Sequence, residues 1–279
     1  MTHSGKGIVT EEVIAEKQRR KETYPGFIEY CPNTDFSSGR YSVRFARRPD
    51  DLDKILRLRF EVFNLELGEG LASSFETQRD EDEYDLTCHH LMVQHSVTGA
   101  IVGTYRMQTR QMAEAGAGFY SATEFDLSEL GDTFLDNAVE LGRACIADGH
   151  RNGRVLFLLW KGLADYMFNN NKRYFFGCCS LTSQDPSEAK RVMNYLVVND
   201  YVDQAFHVSP LANLTCYDDD LVVSEDEDVK IPRLMRLYLQ YGARIAGRPA
   251  IDRVFKTIDY LAVFDEQNMD DRVRRMFTD

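Results

Sequence analysis

Two charged residues in an otherwise apolar segment are the first sign of chemistry in this sequence. Glu140 and Arg143 lie in VELGRACIA, which has the character of a buried strand. A buried carboxylate can take a proton, directly or through water, and so act as a general base. The alternative is a structural ion pair between the two side chains. That pair requires a β-bulge at Gly142, because positions i and i+3 of a straight strand face opposite ways.

The residues after this strand suit the binding of an anion. The turn HRNGR (150–154) leads into an apolar segment that predicts a helix over 155–171. Backbone N–H groups at a helix N-terminus favour negative charge, and phosphate in particular. The residues that flank this helix and could bind a phosphate-bearing ligand are Arg151, Gly153, Arg154, Lys172 and Arg173.

An acidic segment, DEDEYD (80–85), could hold a cation through Asp80, Asp82 and Asp85. A solvated acidic loop is the alternative and the usual role of such a run. Arg106, on a predicted hairpin, could bind this loop or a substrate carboxylate through bidentate contacts, or could simply be solvated.

No metal site is predicted. Cys88, His89 and His90 are adjacent, but neighbouring strand positions face opposite ways, so three ligands do not converge. Cys178 and Cys179 lie in an apolar strand without an evident activating base, which favours buried thiols over a nucleophile.

The elements that must position these residues follow from hydrophobic periodicity. A strand at 41–46 is followed by a helix, a hairpin that turns at Thr98-Gly99, a strand, the helix 155–171, the strand 173–181 and another helix. A helix closed by Gly242 and late strands complete the chain. This order predicts an α/β sandwich with a mixed sheet. The predicted division is an N-terminal helical and loop extension (1–40) and one domain (41–279), whose C-terminal part is 200–279.

The net charge and the hydropathy pattern argue against some partners and locations. The net charge of −12 over 279 residues argues against nucleic acid as a partner. No apolar run approaches the roughly 20 residues of a spanning helix, and the polar N-terminus lacks a signal sequence. We therefore expect a cytoplasmic protein, with peripheral contact to the inner membrane left open.

An ordered set of motifs resembles the GNAT superfamily of N-acyltransferases. The closest branch comprises the ornithine-lipid N-acyltransferases with the hemolysin-like proteins and N-acyl amino acid synthases; acyl-homoserine-lactone synthases are more distant. The matching segments, spread over about residues 41–265, are RLRFEVFNLELG, DEDEYD, the hairpin with Arg106, FYSATEFDLSEL, ELGRACI, RYFFGCCSL and YGARIAGRPAIDRVFKTIDYLAVFD.

The resemblance implies a GNAT-like, splayed mixed sheet and an enzyme that moves an acyl or 3-hydroxyacyl chain from acyl carrier protein to the α-amine of an amino acid. Ornithine is the implied acceptor and a lyso-aminolipid the implied product. The phosphopantetheine thioester of the carrier is the donor, which the five residues that flank the helix 155–171 would bind, and no other cofactor is implied. Glu140 and Arg143 would be catalytic. The implied acceptor-binding residues are Arg59, Phe60, Asp80, Asp82, Asp85 and Arg106.

Two alternatives stay open at this point. One is an acyl-homoserine-lactone synthase, although the tryptophan expected after that family's helix motif is absent from LELG (65–68). The other is a non-catalytic protein that binds an acyl carrier or a lipid.

The sequence departs from the acetyl-CoA-using members at the phosphate loop. Those members carry Arg/Gln-x-x-Gly-x-Gly/Ala, and here only Gly153 fits. We expect the bulk of Val155 to hinder a diphosphate, which favours a carrier-protein donor over free CoA.

Overall fold

The computed structural model describes residues 23–224 and 229–269. These residues form a nine-stranded sheet in the order β1-β2-β3-β4-β5-β6-β9-β7, with β8 also paired to β9. The strands are β1 (Phe36–Ser38), β2 (Tyr41–Phe45), β3 (His89–His95), β4 (Ile101–Thr109), β5 (Ala138–Ile146), β6 (Tyr174–Leu181), β7 (Arg244–Ile245), β8 (Ala250–Asp252) and β9 (Thr257–Asp265). The α-helices are α1 (Pro49–Arg59), α2 (Ser74–Thr77), α3 (Arg110–Ala115), α4 (Asp132–Asp136), α5 (Gly153–Asn169), α6 (Pro186–Val198) and α7 (Arg233–Gln240).

Local sequence sets where the main helices begin. The Asp185 side chain accepts a hydrogen bond from the backbone N–H of Ser187, and Pro186 is the first residue of α6. Both features favour a helix start, because they satisfy or remove backbone donors that have no partner within the helix. The α1 helix also begins at a proline, Pro49, and continues beyond Arg59 as a wider π-helical segment, Phe60–Glu66.

Helices cover both faces of the sheet. Leu91 and Val93 of β3 pack with Leu158 of α5, whereas Met92 between them packs with Ile55 of α1. Because alternate residues of a strand face opposite sides, α5 and α1 lie on opposite faces. Farther along the sheet, α6 and α7 pack on β6 and β9 in a separate apolar cluster.

The two halves of the sheet diverge between β5 and β6. These strands pair in parallel only from Ala138 to Glu140, opposite Tyr174–Phe176. Beyond that, β5 pairs only with β4, and β6 pairs with β9. The splay that the resemblance implied is confirmed, and Glu140 is the last β5 residue before the strands separate.

Most predicted elements are confirmed, including both helices around β6, the hairpin and the late strands. The sheet, however, starts before residue 41, because β1 lies within the predicted extension and pairs with β2. Most of the predicted N-terminal helix falls in 1–22, outside the described residues. In the described ranges, no helix is both long and apolar enough to cross a membrane.

Candidate active site

The β5 strand carries a bulge at Arg143. The register passes from Thr104 opposite Cys145 to Arg106 opposite Gly142, so two β5 residues face one β4 residue. Arg143 itself has φ +48°, which is uncommon for a residue with a Cβ and marks a position held by its surroundings. The bulge was predicted at Gly142, and the structure places the left-handed residue one position later.

Glu140 is buried and accepts three hydrogen bonds from its neighbours. Its Oε2 accepts hydrogen bonds from Gln108 Nε2 at 2.7 Å and from the backbone N–H of Tyr120 at 3.0 Å. Its Oε1 accepts one from the Ser121 N–H at 2.7 Å. The carboxylate therefore anchors the 3₁₀ turn Tyr120–Thr123 to β5, and since a carboxylate has about four acceptor positions, one on Oε1 is left for a proton.

Glu140 does not pair with Arg143, so the alternative ion pair is wrong. The Arg143 guanidinium instead lies 3.4 Å from Asp82 Oδ2 and 3.7 Å from Asp80 Oδ2. A cavity of about 10 Å³ borders Glu140, Gln108 and Tyr120, which is close to the minimum volume for one water molecule.

The acidic segment is bound by three arginines. Arg59, at the end of α1 and 0% exposed, contacts Asp80 at 2.7 Å and Asp85 at 2.6 Å. Arg106 contacts Asp82 at 2.5 Å and Asp85 at 3.0 Å. With Arg143, three guanidinium groups balance three carboxylates.

The balance of charges lowers the pKa values of the three aspartates. Burial raises the pKa of Asp85, but Arg59 and Arg106 outweigh it and hold that pKa well below its usual range. The pKa values of Asp80 and Asp82 are lowered in the same way. The cluster thus has no spare negative charge for a cationic guest, contrary to the argument that made these aspartates an acceptor rim; their contact with substrate stays a prediction.

Aromatic rings line the region around the bulge. The Arg143 guanidinium lies 4.3 Å from the centre of the Phe255 ring and 5.6 Å from that of Tyr120. Arg106 lies 5.3 Å from the ring of Tyr84. Phe60, which was predicted near the acceptor, packs edge-on against Phe75 with ring centres 5.4 Å apart.

The N-terminus of α5 is capped by its own sequence. The Asn152 side chain accepts hydrogen bonds from the N–H groups of Arg154 and Val155, at 3.1 and 3.2 Å. Val155 is 0% exposed and packs toward Gly103 of β4. The expectation that Val155 would hinder a diphosphate is therefore wrong: the group in front of these donors is the Asn152 carboxamide, and the argument from Val155 against CoA does not hold.

The five residues nominated for the donor do not form one surface. Gly153 begins α5 and Arg154 is exposed beside it, whereas Arg151 pairs with Glu66 at 2.5 Å. Lys172 and Arg173 follow the other end of α5, a helix of 17 residues and so about 25 Å long. Arg173 there makes a bidentate pair with Asp265.

An open pocket of about 610 Å³ lies beside the start of α5. Its lining residues are Arg40, Tyr41, His95, Thr98, Gly149, His150, Asn152 and Arg154. Arg40 and Arg154 are exposed and make no ion pair within the described part of the chain, so this end of α5 presents free positive charge.

Four polar residues near Glu140 were not singled out from the sequence: Gln108, Tyr120, Ser121 and Glu124. Three of them lie in FYSATEFDLSEL, a segment recognised only as part of a resemblance. The signal that could have identified them is the presence of polar residues in a segment whose phenylalanines are buried.

The imidazoles and the thiol of Cys179 are buried, and Cys178 is half-buried. Burial raises the pKa of Cys179 to about 12 and that of Cys178 well above its usual value, and thiols of that kind are poor nucleophiles. Burial lowers the pKa of His89 and of His90 to about 4. The ring of His89 contacts Tyr166 and that of His90 the Asp85 carbonyl.

Residues 58–161 match a family model described as an acetyltransferase (GNAT) domain. With the splayed sheet and the buried carboxylate at the point of separation, this match defines an acyltransferase of the GNAT superfamily, and the resemblance seen in the sequence is confirmed.

The relatives narrow the class. An L-ornithine N(alpha)-acyltransferase of Rhizobium meliloti (strain 1021) is 33% identical over 237 residues, 79% of this chain and 78% of the relative. One of Agrobacterium fabrum is 31% identical over 241 residues, 81% and 80% of the two chains. The solved structure of FeeM, an N-acyl amino acid synthase from uncultured soil microbes, is 10% identical, covers 83% of this chain and 95% of its own, and has a TM-score of 0.47. The chain belongs to the family of these two acyltransferases, and it is an enzyme rather than a non-catalytic binding protein.

Proposed function

We propose that this enzyme transfers a long acyl or 3-hydroxyacyl chain from acyl carrier protein to the α-amine of ornithine and so forms a lyso-aminolipid. Two relatives that are named for the N(alpha)-acylation of L-ornithine align with about four fifths of the chain. The single structural observation that supports the proposal is the position of Glu140, a buried carboxylate with one free acceptor position where β5 and β6 part.

Amide formation requires that an ammonium lose a proton, that the thioester carbonyl be polarised and that the two be held together. In the proposed reaction Glu140 takes the proton from the α-ammonium, directly or through a water molecule in the adjacent cavity. The free amine attacks the thioester carbon and the C–S bond breaks. The departing sulfur of the phosphopantetheine arm takes the second proton from the attacking nitrogen and leaves as a thiol.

Arg143 supplies the cationic contact for the carboxylate of the amino acid, because it is the most weakly paired arginine of the cluster, at 3.4 and 3.7 Å from its aspartates. Its Nε is buried and without a hydrogen-bond partner, and a guanidinium held beside aromatic rings suits a carboxylate. We place the carboxylate of the amino acid against Arg143, close to the base.

The donor arm enters between β5 and β6, and its phosphate lies toward the start of α5. Arg154 and Arg40 provide positive charge at that end. Because Asn152 caps the first N–H groups of the helix, we expect either its side chain to turn aside or the phosphate to bind the arginines instead.

The test is a reaction of the purified protein with 3-hydroxyacyl carrier protein and ornithine, with the product identified by mass spectrometry. N-acylornithine is the expected product, and lysine should be a poorer acceptor by about 1–3 kcal/mol, the usual worth of one methylene. Only N-acylglycine or N-acylglutamine would refute a basic acceptor. Acyl-homoserine lactone from S-adenosylmethionine would move the enzyme to the alternative function.

A further inference from the structure

A second acidic group includes the residue that directly follows the turn anchored by Glu140. Glu124 follows this turn, Asp252 ends β8 and Asp259 lies in β9; a carboxylate oxygen of each lies within 4.8 Å of the others. All three residues are buried, with Glu124 only 2% exposed. In contrast to the aspartates at 80–85, none of them has an arginine, lysine or histidine partner within the described residues.

Within the described residues, one buried oxygen of this group has no hydrogen-bond partner. Asp259 accepts hydrogen bonds from Ser180 and Thr257, and Asp252 Oδ1 accepts them from two backbone N–H groups. Glu124 Oε1 is buried without a hydrogen-bond partner in the described structure. An unsatisfied buried acceptor is costly and rare, and a ligand that donates to it would remove the cost.

The group is joined to the candidate catalytic residues. Glu140 binds the N–H groups of Tyr120 and Ser121, and Glu124 comes at the end of the same 3₁₀ turn. Glu124 is three positions after Ser121, which at a rise of about 2.0 Å per residue is about 6 Å along the turn. The Tyr120 ring lies over Arg143 on this side.

The group also borders the gap in the sheet. Glu124 Oε2 is 3.8 Å from the Sγ of Cys178, which lies two residues beyond Phe176, the last β6 residue that pairs with β5. Phe255, whose ring stacks on Arg143, donates its N–H to Asp252.

We propose that Glu124, Asp252 and Asp259 receive the side-chain ammonium of the acceptor amino acid while its α-amine faces Glu140 and its carboxylate faces Arg143. The inference rests on the proposed function and assigns a site to the basic side chain. An ammonium has three donors and no acceptor, which matches a group of three carboxylates with an unsatisfied oxygen. The short carbon chain of ornithine, which separates its two amines, would run alongside the turn.

The protonation of Glu124 before the acceptor binds gives the proposal a second measurable consequence. Burial, together with the Asp259 and Asp252 carboxylates, raises the pKa of Glu124 to about 9, against a smaller lowering by Tyr120 and Cys178. Burial likewise raises the pKa of Asp259 to about 6. Glu124 is thus protonated near neutral pH, and an arriving ammonium would ionise it and release one proton to the solvent.

The first experiment compares ornithine with L-norvaline, which has the same carbon chain without the terminal amine. We expect Glu124→Gln and Asp259→Asn to reduce the ornithine-to-norvaline ratio of kcat/KM by about tenfold to hundredfold, the usual worth of a hydrogen bond to a charged group. The loss should appear mainly in KM for ornithine. Glu114→Gln, at an exposed acid on α3, is the matched control and should leave the ratio unchanged.

A binding measurement tests this ammonium site independently of acyl transfer. Titration calorimetry of ornithine in two buffers of different ionisation enthalpy should report release of about one proton by the wild type and of none by Glu124→Gln. An unchanged acceptor ratio in both variants would overturn the inference, as would Mn²⁺ binding that is lost in Glu124→Gln while KM for ornithine is unaltered. If the wild type acylates neither ornithine nor norvaline, the proposed function fails instead.

Discussion

Glu140 carries two roles at once: it closes the turn at Tyr120–Thr123 and, in the proposed reaction, accepts a proton. Glu140→Gln keeps an acceptor at Oε1 but removes the base. We expect the variant to fold, with amide formation reduced by about 10²–10⁴-fold, the usual contribution of a general base. Single-turnover kinetics with excess enzyme would measure this loss.

Glu140→Ala gives the contrast, because it removes the acceptor for two backbone N–H groups and should also lower the melting temperature. Full activity in Glu140→Gln would rule out the catalytic role. Unfolding of that variant would show that the carboxylate acts in the structure alone.

The Arg59–Asp85 pair is the most deeply buried part of the arginine–aspartate cluster, and its contribution to stability depends on pH. Arg59 and Arg106 hold the pKa of Asp85 well below its usual range. A lowered carboxyl pKa stabilises the folded state above the unfolded pKa of about 3.9, and that stabilisation is lost as pH falls further toward the folded pKa. His89 and His90 are buried and neutral, and burial lowers their pKa values to about 4. The stability that they contribute is lost at higher pH than that of Asp85, as the pH falls from about 6.5 to 4.

Asp85→Asn should therefore lower the free energy of unfolding at neutral pH by about 3–5 kcal/mol, because it leaves buried guanidinium groups without a full partner. It should also flatten the loss of stability below about pH 4. Urea denaturation over a pH series would measure both effects. Asp53→Asn, at surface ion pairs with Arg57 and Arg79, should cost less than about 1 kcal/mol; equal effects of the two changes would contradict this account.

At the scale of elements, local patterns were enough to predict most of the fold. The apolar segment in HHLMVQH corresponds to a strand that is buried on both faces, and the helical spacing of Leu52, Ile55 and Leu56 corresponds to one face of α1. The π-helical end of α1 and the bulge at Arg143 have no such signature, because both depend on which neighbours pack around them. The pairing of Arg59 with Asp85 is also non-local, since these residues are brought together only when α1 and the acidic segment pack on the sheet.

The separation of β5 from β6 depends on a close backbone contact. A Cβ on Gly177 would lie 2.1 Å from the Leu141 carbonyl oxygen, and backbone atoms cannot turn aside as a side chain can. Gly177→Ala should therefore destabilise the protein by about 1–3 kcal/mol or more, as overpacking does, and reduce activity by shifting Glu140. Gly142→Ala is the matched control, because nothing lies within 4 Å of a Cβ there. Equal denaturation midpoints for the two variants would refute this role for Gly177.

At the scale of the whole molecule, the net charge of −12 conceals an uneven distribution. The charges are balanced in two groups, the arginine–aspartate cluster and the Arg173–Asp265 pair. These groups therefore contribute little to the electrostatic field of the protein. Among the described residues, three carboxylates near β9 have no cationic partner, whereas Arg40 and Arg154, beside the start of α5, have no anionic partner. An amino acid with a basic side chain and a donor with a phosphate would each bind where the opposite charge is uncompensated.

The last prediction concerns the docking of acyl carrier protein, which is acidic, on this acidic enzyme. Favourable docking requires a local basic surface, and Arg154 beside the open pocket provides one. We expect Arg154→Ala to weaken the use of acyl carrier protein a few-fold at low ionic strength, with the effect vanishing near 1 M salt, where the Debye length is about 3 Å. Steady-state kinetics over a salt series would measure it.

Lys172→Ala changes the net charge equally at the other end of α5, about 25 Å away, and should have little effect. A small acyl thioester without phosphate or protein should be used equally well by all three enzymes, because it has no charge for Arg154 to bind. If Arg154→Ala and Lys172→Ala behave alike with the carrier protein, or if the loss persists at high salt, docking at this end of α5 is refuted.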